Sequence, residues 1–342
     1  MSFINVNNPP VIGHRGWNIL LSSETAATVL GGNFVVTGSS VPDVKYSADA
    51  ITWNSVSTGF QLGAIVQVTN TTFRAFGGVS FFGEFRSCVS TDGGVSWTSQ
   101  QTNAIPGLAD GAIVNDVKFN GSLYVAVITN AFGGNWGVII TSADFVTWTV
   151  RQTFPLLGFI SVFWTGARWL ATLTSTPANV ALPDGPVFTS SDGIAWTQTL
   201  VAPFPGVTQT IRGIRQIGSR VLACGNDGAL SVGYTNDTSI STAWTNPAIG
   251  GSTGGSDFAY NSTGNVLVLA RAFTRLMNYS TDTGTTWNAC TVPAGTASVG
   301  NLVYKNGLFV NCTGVGDCYY SGDGITFTKV AAAVGTGWVF IV

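Results

Sequence analysis

Tyr279-Ser-Thr-Asp-Thr-Gly-Thr-Thr-Trp287 decides the fold, because the chain keeps returning to it. The same order of Ser, Asp and an aromatic appears in Tyr46-Ser-Ala-Asp-Ala-Ile-Thr-Trp53, Val89-Ser-Thr-Asp-Gly-Gly-Val-Ser-Trp97 and Thr141-Ser-Ala-Asp-Phe-Val-Thr-Trp148. It recurs in Thr189-Ser-Ser-Asp-Gly-Ile-Ala-Trp196 and Tyr320-Ser-Gly-Asp-Gly-Ile-Thr-Phe327, and a degenerate copy runs from Tyr234-Thr-Asn-Asp237 to Trp244. The seven aspartates (Asp49, Asp92, Asp144, Asp192, Asp237, Asp282 and Asp323) stand 41 to 52 residues apart. A lone Ser-x-Asp carries no information; seven in phase specify a repeat architecture.

Each copy has a local physical reading. The residues before the Ser alternate or run apolar, as a strand does. Ser and Asp then turn the chain, the carboxylate accepting nearby backbone N–H groups, and Gly in several copies supplies a positive φ. The closing Trp or Phe starts the next strand and folds back under the turn as an apolar plug. Upstream of each motif lies a second turn signal leading into an apolar strand, as in Gly31-Gly-Asn-Phe-Val-Val-Thr37, Phe119-Asn-Gly-Ser-Leu-Tyr-Val-Ala-Val127, Gly166-Ala-Arg-Trp-Leu-Ala-Thr172 and Lys305-Asn-Gly-Leu-Phe-Val-Asn311.

Four strands joined by short turns make one blade, so the chain reads as all-β: a seven-bladed β-propeller of four-stranded antiparallel blades. A blade buries neither face alone, so neighbours must stack until the ring closes. Gly337-Trp-Val-Phe-Ile-Val342 has no motif after it and fits a closing strand; Trp17-Asn-Ile-Leu-Leu21 fits the same role from the other end. The domain reading is an N-terminal arm or closing strand over 1–22 and one propeller over 23–342.

Ser-x-Asp-x-Gly-x-x-Trp resembles the Asp-box, or BNR, repeat of sialidases and their relatives. The match is close for Ser90–Trp97 and Ser280–Trp287; four copies are one residue shorter and the Asp237 copy is two longer. The resemblance implies a propeller with the box in the turn between third and fourth strands, at the face opposite a substrate site. It implies no activity, since such boxes recur in non-enzymes. An active sialidase needs a Tyr–Glu nucleophile pair and three converging arginines, whereas this chain has only Glu24 and Glu84, and Arg15 and Arg74 lack the family's setting. Arg168 and Arg220 fall in or beside hairpin turns and read as solvated.

Composition narrows the function further. Charged residues are 9% of the chain against roughly 25% in ordinary domains, with 43 glycines and a formal net charge of −2. Only 14 Lys and Arg are spread along the chain, too few for a phosphate-binding surface, so nucleic acid is not an expected partner. Apolar runs such as Phe159–Trp164 fall short of a membrane span. Met1–Pro10 does not read as a conventional signal peptide, so the expected location is the virion if the chain is phage-encoded, and otherwise the cytoplasm or the exterior by another route. His14 is the only histidine, which leaves no catalytic-triad signature and no multi-histidine metal site; no cofactor is implied. Among five scattered cysteines, Cys312 and Cys318 flank a Gly-containing turn, and the pattern favours free thiols over a bond.

The informative loops are those joining second and third strands, on the face opposite the repeated turns. They contain Phe82, Glu84, Arg86, Trp136, Asp184, Asp227, Arg271 and Arg275. Aromatics beside amides, carboxylates and guanidinium groups suit a glycan or a protein interface. The alternative is that Phe81, Phe132 and Phe273 merely plug the ring. Low charge and Ser, Thr, Gly and Asn richness resemble phage structural proteins, so the expected partner is a host-surface glycan or another virion protein, with a homo-oligomer left open. The rival readings are a propeller-type glycoside hydrolase, which needs paired carboxylates in a central pocket, a cytoplasmic assembly scaffold, and a secreted lectin.

Overall fold

The computed structural model describes residues 31–38, 42–81, 84–108, 111–130, 136–154, 158–173, 187–198, 210–226, 232–238, 240, 243–249, 254–271, 274, 276–295, 300–313, 316–331 and 338–342. The arm over 1–22, with Trp17–Leu21, lies outside them. Seven antiparallel sheets succeed one another along the chain, each a meander. From the centre outwards, blade 2 runs Leu62–Gln67, Phe73–Phe81, Glu84–Ser90 and Thr98–Gln101, and blades 3, 4, 6 and 7 repeat that order. Among the described residues blade 5 has three strands, with a single bridge, Tyr234 to Thr245, at its fourth position, where the Asp237 copy of the motif is longest.

Closure is settled by blade 1. Its innermost strand is the C-terminal Trp338–Ile341, which pairs antiparallel with Phe34–Gly38 near the start of the described chain. Inner strands of successive blades touch all the way round, and Trp338–Ile341 meets both Gly300–Lys305 and Leu62–Gln67. The core is correspondingly divided into seven apolar clusters, one for each blade-to-blade interface. Second strands such as Trp169–Leu173 are buried throughout, while outer strands such as Thr98–Gln101 are mostly exposed. This is the gradient expected when sheets stack face to face around an axis.

The repeated turns explain the motif. Ser47, Ser90, Ser142, Ser190, Ser280 and Ser321 each donate a hydroxyl to the aspartate two residues on, at 2.7–3.0 Å. That aspartate accepts backbone N–H groups ahead of it, as Asp144 does from Val146 at 2.8 Å and Thr147 at 2.7 Å. The Trp indole folds back and donates to a carbonyl three residues earlier, as Trp148 does to Phe145 at 3.1 Å. Positive φ is taken by Gly193 and Gly324, but also by Ala50 at 61° and Phe145 at 69°. Phe145 accepts that strain because its ring is fully buried between blades 2 and 3, at 4.6 Å from Phe76.

The turns also join the blades. Arg74 of blade 2 donates to the Asp144 carbonyl in the turn of blade 3 at 2.7 Å, its guanidinium 5.5 Å from the Phe145 ring. Arg220, read from sequence as solvated, instead grips the turn of blade 6 through the Thr283 carbonyl at 2.9 Å and the Thr285 hydroxyl at 2.7 Å. Cys312 and Cys318 sit directly opposite on adjacent strands of blade 7 and form a disulfide, where the sequence favoured free thiols.

Candidate functional site

Antiparallel order puts the second-to-third-strand hairpins at the end of each blade away from the repeated turns, where the sequence places the binding face. Of the eight residues expected there, Phe82, Asp184, Asp227 and Arg275 lie outside the described residues. Trp136 opens the third strand of blade 3, its backbone paired with Asn130 across the hairpin mouth. Glu84 and Arg86 begin the third strand of blade 2. Glu84 accepts the side-chain amide of Gln101, and exposed Arg86 has its guanidinium 5.9 Å from the Phe60 ring. Glu84, Arg86, Gln101 and Phe60 thus form a small polar-aromatic patch on that end of blade 2.

Arg271 is placed differently from the sequence reading. Its side chain is 2% exposed and donates to the Ile249 carbonyl at 3.1 Å and to Asn278 at 3.3 Å. Burial holds its pKa below the ordinary arginine value. The second strand of blade 6 runs through Arg271 itself, so the residue ties blade 6 to the chain entering it and does not stand in the loop.

The sequence reading missed a second polar cluster, on the innermost strands. These strands carry register shifts in blades 2 to 6, and in blades 3 and 6 an aspartate directly follows the shift. Asp116 in blade 3 accepts its neighbour Val117 N–H at 2.8 Å, and in the next blade the Val162 N–H at 3.1 Å and the Ser161 hydroxyl at 2.8 Å. Lys118 closes over it at 2.5 Å. Asp257 in blade 6 repeats the arrangement: Phe258 N–H at 2.8 Å, Leu302 N–H of blade 7 at 3.1 Å, and Arg215 of blade 5 at 3.2 Å. Arg215 spans three blades, lying 5.2 Å from the Phe163 ring of blade 4. Burial pushes the Asp257 carboxyl above its ordinary pKa, with Arg215 and the two N–H groups pulling it back. A charged residue interrupting an apolar strand at one place in two repeats was the available signal.

Chemically, this cluster is a set of staples. A general acid/base pair needs carboxylates free to face a bond between them. In Asp116 and Asp257 both oxygens of each carboxylate already accept protein donors, and in each the Oδ2 takes its donors from the following blade. The aspartates of six repeated turns (Asp49, Asp92, Asp144, Asp192, Asp282 and Asp323) are equally committed. The backbone N–H groups of Thr52 and Ile51 hold Asp49 down to about 2. At Asp144 and Asp282 burial pushes upwards, but the turn donors outweigh it and the pKa again falls to about 2. No group of three or more His, Cys, Asp or Glu among the described residues is placed to hold a metal.

The fold is shared with several solved propellers. The periplasmic gluconolactonase of Pseudomonas aeruginosa aligns with a TM-score of 0.64 at 9% identity, covering 91% of this chain and 98% of that one. A putative 6-phosphogluconolactonase of Bacteroides fragilis gives 0.62 at 10% identity over 91% and 98%. YCF48 bound to a D1 peptide gives 0.52 at 13% identity over 78% and 80%. At such identities the likeness is one of fold alone. No protein-family model matches the chain, and no curated protein matches it in sequence.

Proposed function

We propose that the chain is a non-enzymatic binding propeller, a bacteriophage virion component whose loop face recognises a host-surface glycan or another virion protein. The observation that carries the non-enzymatic reading is the state of the inner-strand carboxylates: Asp116 and Asp257 have both oxygens occupied by protein donors, and each spends at least one on a joint to a neighbouring blade. Recognition falls to the opposite end from the repeated turns, where Arg86 and Phe60 offer a guanidinium and a ring, and Glu84 and Gln101 offer groups that read hydroxyls. The Asp-box resemblance agrees, since it leaves that end free. The composition, 9% charged with 43 glycines, supports the virion setting.

The test is a screen of the purified chain on bacterial and animal glycans and on candidate virion proteins, with Arg86→Ala and Trp136→Ala alongside. Specific binding that falls at least tenfold in either variant supports the loop face as the recognition surface. Binding that survives both substitutions moves recognition elsewhere, and no binding to any candidate sinks the recognition reading.

A further inference from the structure

In blades 2 to 7 the second strand is reached by a hairpin from the inner strand of the same blade; in blade 1 the inner strand arrives from the far end of the chain. Gly31, Gly32 and Asn33 occupy the place of that missing hairpin, and side chains from two other blades hold them. Their three successive carbonyls each accept one donor: Gln67 Nε2 at 2.8 Å, Asn306 Nδ2 at 2.8 Å and Lys305 Nζ at 2.5 Å. Gln67 ends the inner strand of blade 2, while Lys305 and Asn306 turn the inner hairpin of blade 7. Asn33 reaches on to the Gly93 carbonyl in blade 2 at 2.9 Å. Gly32 has φ of 88°, and a Cβ there would stand 1.9 Å from the Asn70 carbonyl oxygen, so the entry is tightly fitted.

Lys305 is the centre of this clasp. Its side chain is 1% exposed, its Nζ also donates to Gln67 Oε1 at 2.9 Å, and the Phe34 and Phe73 rings lie 5.7 and 5.3 Å away. The charged groups among the described residues of the three blades that meet here are Asp43, Lys45 and Asp49 of blade 1, Arg74, Glu84, Arg86 and Asp92 of blade 2, and Asp317, Asp323 and Lys329 of blade 7. Among the described residues, none of them is bonded to Lys305. A neutral amine has two N–H groups for its two acceptors. An ammonium adds a third donor with no acceptor, and a full charge that only carbonyl dipoles and two distant ring faces offset.

We propose that Lys305 is a proton-operated latch on the ring-closure seam: neutral, it ties blade 7 to blades 1 and 2, and charged by acidification it loosens that seam before the rest of the ring.

Burial is the sole cause acting on the Lys305 ammonium, and it brings the pKa from 10.5 down to about 7. A lysine so lowered binds fewer protons folded than unfolded between those two values, so its contribution to stability rises with pH across that window. From pH 7 to pH 9 the folding constant should climb about 50-fold on this account.

The experiment is urea unfolding of the full chain at pH 7, 8 and 9 for wild type and Lys305→Met. The ratio of the two folding constants should rise about 50-fold over the range, and parallel pH profiles overturn the proposal. Should Lys305→Met fail to fold, NMR titration of the lysine side-chain nitrogens in the wild type decides alone. The chain has only four lysines; one titrating near 7 supports the latch, and all four near the ordinary value overturn it. Hydrogen exchange at pH 6 and 8, corrected for intrinsic rates, locates the effect. Faster opening at pH 6 confined to 34–38 and 338–341 is expected, and uniform opening contradicts a seam.

Discussion

Replacing Asp116 with alanine removes one acceptor from four donors at once. Val117 and Val162 are fully buried, and their N–H groups lose bonds of 2.8 and 3.1 Å. An orphaned buried donor costs about 1–3 kcal/mol. The Ser161 hydroxyl can rotate to another acceptor, and Lys118, with a third of its side chain exposed, can turn to water, so both are discounted. The sum is about 3–4 kcal/mol, within the range for breaking a buried polar pair. Unfolding entropy near 2.1 cal/mol/K per residue turns that into a fall in Tm of roughly 5 °C for a chain of 342 residues. Urea melts followed by both tryptophan fluorescence and circular dichroism are the assay, with Lys118→Ala as a control expected to cost under about 1 kcal/mol. An Asp116→Ala loss below about 1 kcal/mol, equal to the control, would refute the staple and make this carboxylate a candidate functional group.

Two further outcomes follow from the turns. Arg220→Ala should cost about 1–2 kcal/mol by releasing the turn of blade 6, read as a lower urea midpoint at unchanged slope; no change would mean that the grip is idle. Acid should unfold the protein through the turn aspartates. Their folded pKa is depressed, to about 2 for Asp49, Asp144 and Asp282, so the stability they lend is complete above the ordinary carboxylate range near 3.8 and drains away as pH falls towards 2. Thermal melts from pH 5 to pH 2 should hold steady and then drop in that window. A Tm independent of pH down to 2 would contradict the turn geometry.

The fold was legible because its signal is local and repeated. Ser, Asp and Trp fix each turn through bonds that span only two to four residues, and seven copies in phase leave one architecture. The four-strand blade was legible for the same reason; among the described residues of blade 5 its outer position holds one bridge, beside the longest copy of the turn. What the sequence hid depends on distant partners. Nothing around Asp116 announces that its acceptors face a backbone 46 residues on. Arg271 was placed at a loop mouth because periodicity alone does not say which residue ends a strand or which way its side chain turns. Gly31-Gly-Asn33 looked like a hairpin turn, and it occupies that position. Its partners at Lys305 and Asn306 lie more than 270 residues away and emerge only once the ring is closed.

On the proposed function, this propeller binds a ligand and does not turn it over. The direct test is to incubate the purified chain with each glycan it retains and to follow ligand mass over a day, beside Asp116→Asn and Asp257→Asn. The expected result is retained ligand of unchanged mass, with affinity lost in Arg86→Ala or Trp136→Ala and kept in both aspartate variants that remain folded. Cleaved product that disappears when Asp116 or Asp257 is replaced in a folded protein would contradict it and make the inner strands an active site.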